Sequence, residues 1–396
     1  MKRFIYLMIF LICFLPFLNA QDKLEIFGYF ESQALASEIK DNSYQLYTNK
    51  LRVDLKSQIS KNITFAANFD YITYHGKTQW DILEFLSSDI TSKIPQGMES
   101  FYVIPFSNRH FLDNAYIKMR FKYFDLIVGK QQISLGTGYV WNPTDVFNIK
   151  DMLDPTYEMP GHNAMRMDIP LGASYSITAL YSPGDNWKDS AKMIQFEGQI
   201  SHFDYSLIAI EKIWRFHDYT QFDYEILNFS EVSEKRQLLG GSIAGEFLGL
   251  GIWAEYGHNK MEKSKSFYEL VVGSDYTFDF QTYILLEYYR NTFGKSNYED
   301  YDLNDWMRFF TAEQKTVSRD QIYTLIQHPA TDLMTIGLSS FISISDSSFA
   351  LAPVLNYSLS DNAEIIAYLN FSFGREGKIS GKNMGNGGLI RLRIYF

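Results

Sequence analysis

The chain of 396 residues lacks features that define several common protein classes. It has a single cysteine, Cys13, so a framework of disulfide bonds is excluded. Glycine has no three-residue period, which excludes a collagen-like fibre. Charged residues make up only 21% of the chain and hydrophobic residues 46%, which is too apolar for a disordered protein. What remains is a folded protein of one large or two medium domains.

The N-terminus has the layout of a secretory signal peptide. Lys2 and Arg3 precede an apolar run at 4–17, and Ala20 supplies a small residue before Gln21. A membrane anchor is the alternative, but the run is short for a span and no stop-transfer sequence follows it. We therefore expect residues 1–20 to be removed and residues 21–396 to form one domain without cysteine. Loss of the two cations takes the formal net charge from −10 to −12, a balance unsuited to binding nucleic acid.

The rest of the chain is dominated by alternation of apolar and polar residues. No later stretch supplies the roughly 18 consecutive apolar residues of a membrane helix. In residues 50–56 every second residue is apolar and every intervening one is charged. The same period appears at 114–121, 164–169 and 390–396. Such segments are typical of β-strands with one dry face and one wet face.

Connections between the alternating segments come in two lengths, which themselves alternate. Short turns are predicted at 60–62, 122–124, 170–172, 201–203, 247–249, 278–280, 329–331 and 360–362. Longer loops are predicted at 37–42, 76–109, 137–161, 183–190, 214–235, 258–265, 292–320, 344–347 and 374–387. These turns and loops separate about 18 strands, an even number that brings both termini to one side.

This pattern predicts an all-β fold, a transmembrane antiparallel up-and-down β-barrel with short periplasmic turns and long extracellular loops. A soluble β-sandwich also alternates, but it would turn about every 8–12 residues and would not turn charged residues to a large interior. We expect the barrel to lie in the outer membrane of a Gram-negative bacterium, in contact with its lipids and lipopolysaccharide.

The aromatic residues, 17% of the chain, fit the same prediction. Many lie near strand ends, at the two heights where membrane barrels carry aromatic girdles. Those beside the short turns are Tyr123, Phe124, Phe203, Phe247, Phe278, Phe280, Tyr357 and Phe396, and those near the opposite ends are Tyr71, Tyr74, Tyr181 and Tyr288.

Two regions resemble a known family. The stretches 128–136 and 141–148, with Asp154-Pro155-Thr156 and Pro170-Leu171-Gly172 after them, are similar to porin-type barrels related to the alginate-export family. Residues 355–362 and 371–374 are similar to the same group. The terminal Phe396 resembles the sorting signal read by the barrel-assembly machinery. The resemblance implies a barrel and an outer-membrane location, and it fixes no binding residue for alginate.

Alternation also predicts which charged residues face the lumen. The predicted basic residues are Lys50, Arg52, Lys56, Lys118, Arg120, Arg166, Arg391 and Arg393. The predicted acidic residues, from the middle strands, are Glu197, Glu211, Glu246, Glu255, Glu269 and Glu287. Two arcs of opposite sign would set a field across a pore. The alternative is that these charges only form cross-strand pairs.

Loop 137–161 is a candidate constriction. Gly136, Gly138 and Gly161 bracket it, and it carries the carboxylates Asp145, Asp151, Asp154 and Glu158. We expect the loop to fold inward, with its carboxylates facing the basic wall. The alternative is a loop that only caps the outer rim.

No enzyme motif is visible. None of the seven histidines has the spacing of a metal ligand, and neither a nucleophile elbow nor a phosphate loop occurs. We therefore expect no catalytic residue, no metal and no cofactor, and a passive channel for small hydrophilic solutes. An exporter of an acidic exopolysaccharide, as the resemblance implies, and a plugged structural or adhesive barrel remain the alternatives. A homotrimer is compatible with a channel of this size, and no residue pattern indicates its interface.

Overall fold

The computed structural model describes residues 24–40, 42–151 and 153–396, so the predicted signal peptide lies outside the described residues. Within them, eighteen strands form one antiparallel sheet in which each strand pairs with the next along the chain. The last strand pairs with the first, from Tyr29 opposite Tyr395 to Glu38 opposite Asn386. This pairing closes the sheet and confirms the predicted all-β barrel of 18 strands.

The strands span most of the described chain. Their bounds are β1 (Glu25–Ile39), β2 (Asn42–Ser60), β3 (Ile63–Gly76), β4 (Arg109–Arg120), β5 (Asp125–Gln132), β6 (Gly161–Pro170), β7 (Tyr175–Ser182), β8 (Ala191–Ile200), β9 (Phe203–Asp223), β10 (Asn228–Phe247), β11 (Leu250–Met261), β12 (Phe267–Thr277), β13 (Tyr283–Asn291), β14 (Asp320–Thr331), β15 (Met334–Ser343), β16 (Ser348–Ser360), β17 (Ala363–Phe373) and β18 (Asn386–Tyr395).

The short connections lie close to their predicted places, all at one rim. In the turn between β10 and β11, Leu248 and Gly249 both have positive φ, 53° and 81°. Positive φ at both central residues is the geometry of a type I′ hairpin, which matches the twist of the strands it joins. The long connections lie at the opposite rim, and the longest cover residues 77–108, 133–160 and 292–319.

One predicted loop is wrong. The sequence predicts a long outer loop at 214–235, but β9 continues to Asp223 and β10 begins at Asn228, with only residues 224–227 between them. The hairpin remains paired there because its aromatic residues have a packing partner. Tyr219 and Phe229 are buried at 6% and 5% exposure against residues of the neighbouring outer loops.

Large apolar side chains cover the outward faces of the barrel strands. They include Phe30, Leu51, Ile117, Ile194, Leu207, Leu239, Leu286 and Ile390, all exposed. Aromatic residues are exposed at the rim of the short turns, where Phe278 stacks on Phe280 and Tyr175 stacks on Phe196. This distribution is the reverse of a soluble protein, because the apolar residues are outside and the charged ones inside.

The outer loops form a packed core of their own, which we call the outer cap. Its buried members come from β1, β2, loop 77–108, the β9–β10 hairpin and loop 292–319, and they are Ile39, Tyr44, Ile82, Leu83, Phe85, Leu86, Ile90, Tyr102, Tyr219, Phe229, Tyr301, Trp306, Met307 and Val317. The cap therefore places an apolar cluster at the rim of the long loops.

The cap contains the helices of the described chain. They are α1 (Ser88–Thr91) and α2 (Leu303–Phe310), with 3₁₀ turns at Ile82–Phe85, Glu99–Tyr102, Tyr298–Asp300 and Lys382–Met384. A small ribbon pairs Gln79–Asp81 with Val103–Pro105. Helix α2 begins with a capping box in which the side chains of Asp302 and Asp305 accept each other's backbone N–H.

No helix within the described ranges is long and apolar enough to cross a membrane.

We predict that the outer cap depends on Trp306, which is 0% exposed. Replacing Trp306 with alanine should destabilise the cap by about 3–5 kcal/mol, because it leaves a cavity. Limited proteolysis of the folded protein should then cut loop 292–319 faster than in the native chain. Trp187→Ala is the control, since Trp187 is 67% exposed. Equal protease resistance of Trp306→Ala and the native chain would contradict a packed cap.

Candidate functional site

The connection between β5 and β6, residues 133–160, runs through the interior of the barrel. Near its beginning it bonds to Glu255 on β11, and near its end to Lys50 and Arg52 on β2. Strands β2 and β11 are nine positions apart in a ring of 18, so they lie on opposite walls. The loop must therefore cross the lumen, and we call it the crossing loop.

Two carboxylates of the middle strands hold the first half of the crossing loop. Glu255 accepts hydrogen bonds from the N–H of Thr137 at 2.8 Å and of Thr144 at 2.6 Å. Glu287, on β13, accepts bonds from the N–H groups of residues 139, 140 and 141 at 2.5, 2.9 and 3.1 Å. Both glutamates are almost completely buried. Charge-assisted bonds of this kind satisfy buried carboxylates and loop amides together.

The second half of the crossing loop binds the opposite, basic wall. Glu158 accepts bonds from Lys50 Nζ and Arg52 Nη1, each at 3.0 Å. Asp154 accepts a bond from Arg391 Nη1 at 2.6 Å. Burial alone would raise the pKa of Glu158, but the two cations beside it hold that pKa below its usual value. The loop is thus attached to the acidic wall through its backbone amides and to the basic wall through its carboxylates.

Tyr157 lies at the centre of the basic contact. Its ring centroid is 4.7 Å from the guanidinium carbon of Arg391 and 5.4 Å from Lys50 Nζ. Its hydroxyl donates to Glu31 at 3.2 Å. Burial raises the pKa of this phenol, so it stays neutral and donates. The ring therefore presents a face to the two cations, and its hydroxyl donates a hydrogen bond to Glu31.

Apolar packing fixes the crossing loop between these two attachments. Trp141 stacks on Tyr289 with ring centroids 4.9 Å apart and an interplanar angle of 7°. Phe147 packs against a cluster that contains Ile208 and Ile210 of β9. The loop is consequently packed against the walls on one side of the lumen.

The structure places all eight predicted basic residues on inward faces, mostly beside carboxylates. Arg52 contacts Asp54 at 2.9 Å and Asp113 at 3.3 Å, besides Glu158. The remaining pairs are Lys50–Asp70, Lys118–Asp125, Arg166–Asp168 and Arg393–Glu31, with Lys56 and Arg120 largely exposed. Carboxylates therefore alternate with the cations of the basic wall. This pairing reduces the electric field across the lumen that the sequence predicts.

The predicted acidic residues divide into three groups. Glu255, Glu269 and Glu287 are buried against loops, and Glu197 and Glu246 are exposed on inward faces. Glu211 is a wrong assignment, because it lies on the outward face with Lys192 and Lys235, each 3.4 Å away. Alternation failed on this strand because Ile208 and Ile210 face inward against Phe147, so both faces are apolar.

The predicted ring of loop carboxylates is only half right. Asp154 and Glu158 face the basic wall, whereas Asp145 and Asp151 bind amides of their own loop. Asp145 accepts from the N–H of Asn148 at 2.9 Å and Asp151 from the N–H of Leu153 at 2.8 Å. Burial raises the pKa of Asp151 above its usual value. Short-range side-chain bonds of this kind are typical of Asp in turns, a signal present in the sequence.

Two cations of the site, Lys315 and Arg236, are absent from the residues predicted from the sequence. Lys315, from the outer loop 292–319, reaches inward to Glu269 at 3.0 Å and to the carbonyl of Asn142 at 2.6 Å. Arg236 also contacts Glu269, at 3.2 Å. Arg236 lies on the inward face of β10, so the alternation of this strand could have predicted its direction. No local sequence feature indicates that Lys315 turns inward. Within the described ranges no group of His, Cys, Asp or Glu is arranged to hold a metal ion.

A cavity lies beside the crossing loop. It has a volume of about 490 Å³ and lies between the loop and β14–β18. Four tyrosines and two arginines define its character, namely Tyr139, Tyr157, Tyr323, Tyr368, Arg391 and Arg393. Tyr139 and Tyr323 stack with ring centroids 5.7 Å apart. We call this cavity the tyrosine passage.

The comparisons with known proteins find general likeness in shape. A triple mutant of the Rhodopseudomonas blastica porin is 11% identical, with 94% of this chain and 100% of that chain covered and a TM-score of 0.47. A loop-deletion mutant of OmpT, an outer membrane protein of Vibrio cholerae, is 10% identical over 95% and 100%, with a TM-score of 0.48. Neither a protein-family model nor a curated protein matches the chain. The resemblance to the alginate-export family therefore stays an expectation.

We predict that Glu287 holds the crossing loop. Replacing Glu287 with glutamine keeps the shape but removes the charge and one acceptor. Hydrogen exchange at the amides of residues 139–141 should then become about tenfold faster or more. Glu246→Gln is the matched control, since Glu246 is exposed on an inward face and has no bond to the loop. Unchanged exchange in Glu287→Gln would contradict this anchor.

Proposed function

We propose that this barrel is an outer-membrane channel through which small hydrophilic solutes diffuse passively. The apolar outward faces support a membrane location, because a soluble protein rarely exposes so large an apolar surface. Closure of the sheet supports it too, since no backbone group at an open edge would face lipid. Diffusion down a gradient requires neither a cofactor nor catalysis.

The predicted signal peptide and the terminal Phe396 support an outer-membrane location for the channel. The signal peptide at 1–20 would direct the chain out of the cytoplasm, and Phe396 would present it to the barrel-assembly machinery. The outer membrane of a Gram-negative bacterium is then the site of insertion, with the short turns in the periplasm and the outer cap facing outward. Lipopolysaccharide would surround the outer half, and a homotrimer is the assembly that we would test first.

The observation that carries the proposal is the tyrosine passage. It lies where the crossing loop narrows the lumen, and its walls combine tyrosine hydroxyls with paired arginines. Polar, aromatic walls suit uncharged or weakly charged hydrophilic solutes. Because most lumen charges are paired, we expect modest ion selectivity. A channel for an acidic polysaccharide would need an unpaired basic constriction, and this one is matched by Asp154 and Glu158.

A plugged structural barrel is the second candidate. The outer cap and the packing of the crossing loop favour it, since both fill space that an open pore would leave to water. The two candidates differ in one property, the presence of ion current through the barrel.

We predict discrete open-channel steps when the purified protein is inserted into a planar lipid bilayer. Tyr157→Ala should increase the single-channel current, because it removes a ring from the tyrosine passage and loosens the loop from the basic wall. Tyr123→Ala is the control, since Tyr123 is 69% exposed beside a short turn. The absence of current at every voltage, for the native chain and for Tyr157→Ala, would overturn the channel in favour of the plugged barrel.

A further inference from the structure

A second cavity lies on the outer side of the crossing loop. It has a volume of about 310 Å³ and shares no lining residue with the tyrosine passage. Residues 145–149 of the crossing loop form one side and residues 312–315 of loop 292–319 form the other. Its walls come from β9, β10, β12 and β13. Its size is within the usual range of small-molecule sites, roughly 300–1,000 Å³.

Aromatic rings form one wall of this cavity. Trp214 is 5.9 Å from Phe267 and 5.3 Å from Phe293, measured between ring centroids, and the two phenylalanines are 5.2 Å apart. Phe147 contributes a further ring from the crossing loop. The indole N–H of Trp214 is occupied, since it donates to the carbonyl of Glu313 at 3.2 Å. The guanidinium carbon of Arg236 lies 5.3 Å from the ring centroids of Trp214 and Phe267, so the rings offer a ligand the apolar surface that Arg236 leaves uncovered.

Most charged residues that line the cavity already have a partner of opposite charge or a hydrogen-bond donor. Arg236 and Lys315 share the carboxylate of Glu269. Asp145 accepts backbone bonds within its own loop, and Glu313 accepts bonds from His217. These contacts occupy the carboxylates that line the cavity.

Lys212 is different, because it is a cation without a carboxylate. Its Nζ donates to the carbonyl of Val146 at 2.8 Å and lies 4.7 Å from the ring centroid of Phe147. Lys212 forms no ion pair within 4.0 Å in the described chain, and its side chain is half-buried in the cavity wall, where the carboxylate of Asp145 acts on it only from a greater distance. An ammonium has three N–H groups, so two remain for a ligand.

We propose that this cavity binds a small aromatic carboxylate, with the carboxylate on Lys212 and the ring against the wall formed by Trp214, Phe267 and Phe293. An inorganic anion would leave the aromatic wall unused, and an uncharged ring would leave the ammonium unpaired. The inference rests on the proposed function, because the cavity would then be a binding step between the outer cap and the crossing loop for a solute in transit.

Benzoate is the probe for this site, with binding to the detergent-solubilised full barrel measured by isothermal titration calorimetry. We expect saturable binding of benzoate and much weaker binding of benzyl alcohol and acetate, which lack the charge or the ring. Lys212→Met should weaken benzoate binding about tenfold or more, since it removes a charged hydrogen bond. Lys212→Arg should retain it.

Lys192→Met is the matched control, because it removes a lysine at a similar height on the outward face, 3.4 Å from Glu211. This variant should bind benzoate like the native chain. Heat-modifiable mobility in gel electrophoresis checks that each variant is a folded barrel. Equal affinity for benzoate and benzyl alcohol, or full binding by Lys212→Met, would overturn the proposed site. Channel current with no benzoate binding would overturn this inference alone, whereas benzoate binding without current would overturn only the transport step.

Discussion

The structure depends on the requirement that a buried carboxylate be matched by donors. Glu255 and Glu287 are almost without exposure, and a low-dielectric surrounding makes an unmatched charge there very costly. The donors are backbone N–H groups of the crossing loop, which would themselves be unsatisfied without an acceptor. Each side satisfies the other, so the loop is drawn to the far wall of the barrel.

The remaining features follow from that attachment. The loop fixed to β11 and β13 returns to β6 past the basic wall, where Asp154 and Glu158 meet Arg391, Lys50 and Arg52. The crossing loop separates two cavities of different chemistry. One is the tyrosine passage beside β14–β18, and the other is the aromatic cavity with Lys212 beneath loop 292–319.

Much of this fold could be predicted from the sequence, because lipid on one face and water on the other impose a strict period of two. The short turns and the inward direction of Lys50, Arg52 and Arg391 follow from that period. The period gives no information where both faces are apolar, and so Glu211 was assigned to the wrong face. It also could not show that the aromatic residues of 214–235 have partners in the outer cap, since those partners come from distant loops. The pairing of particular loop amides with particular glutamates depends on the tertiary structure, and no local sequence pattern predicts it.

If the barrel is a channel, as we propose, the crossing loop sets its width. The most direct test is pore sizing in planar bilayers, in which polyethylene glycols of increasing size are added and the reduction of single-channel current is recorded. The native chain should be compared with a variant in which residues 137–158 are replaced by a short glycine–serine linker. We expect the shortened chain to admit larger polymers than the native chain does. An identical size limit for the two chains would contradict it.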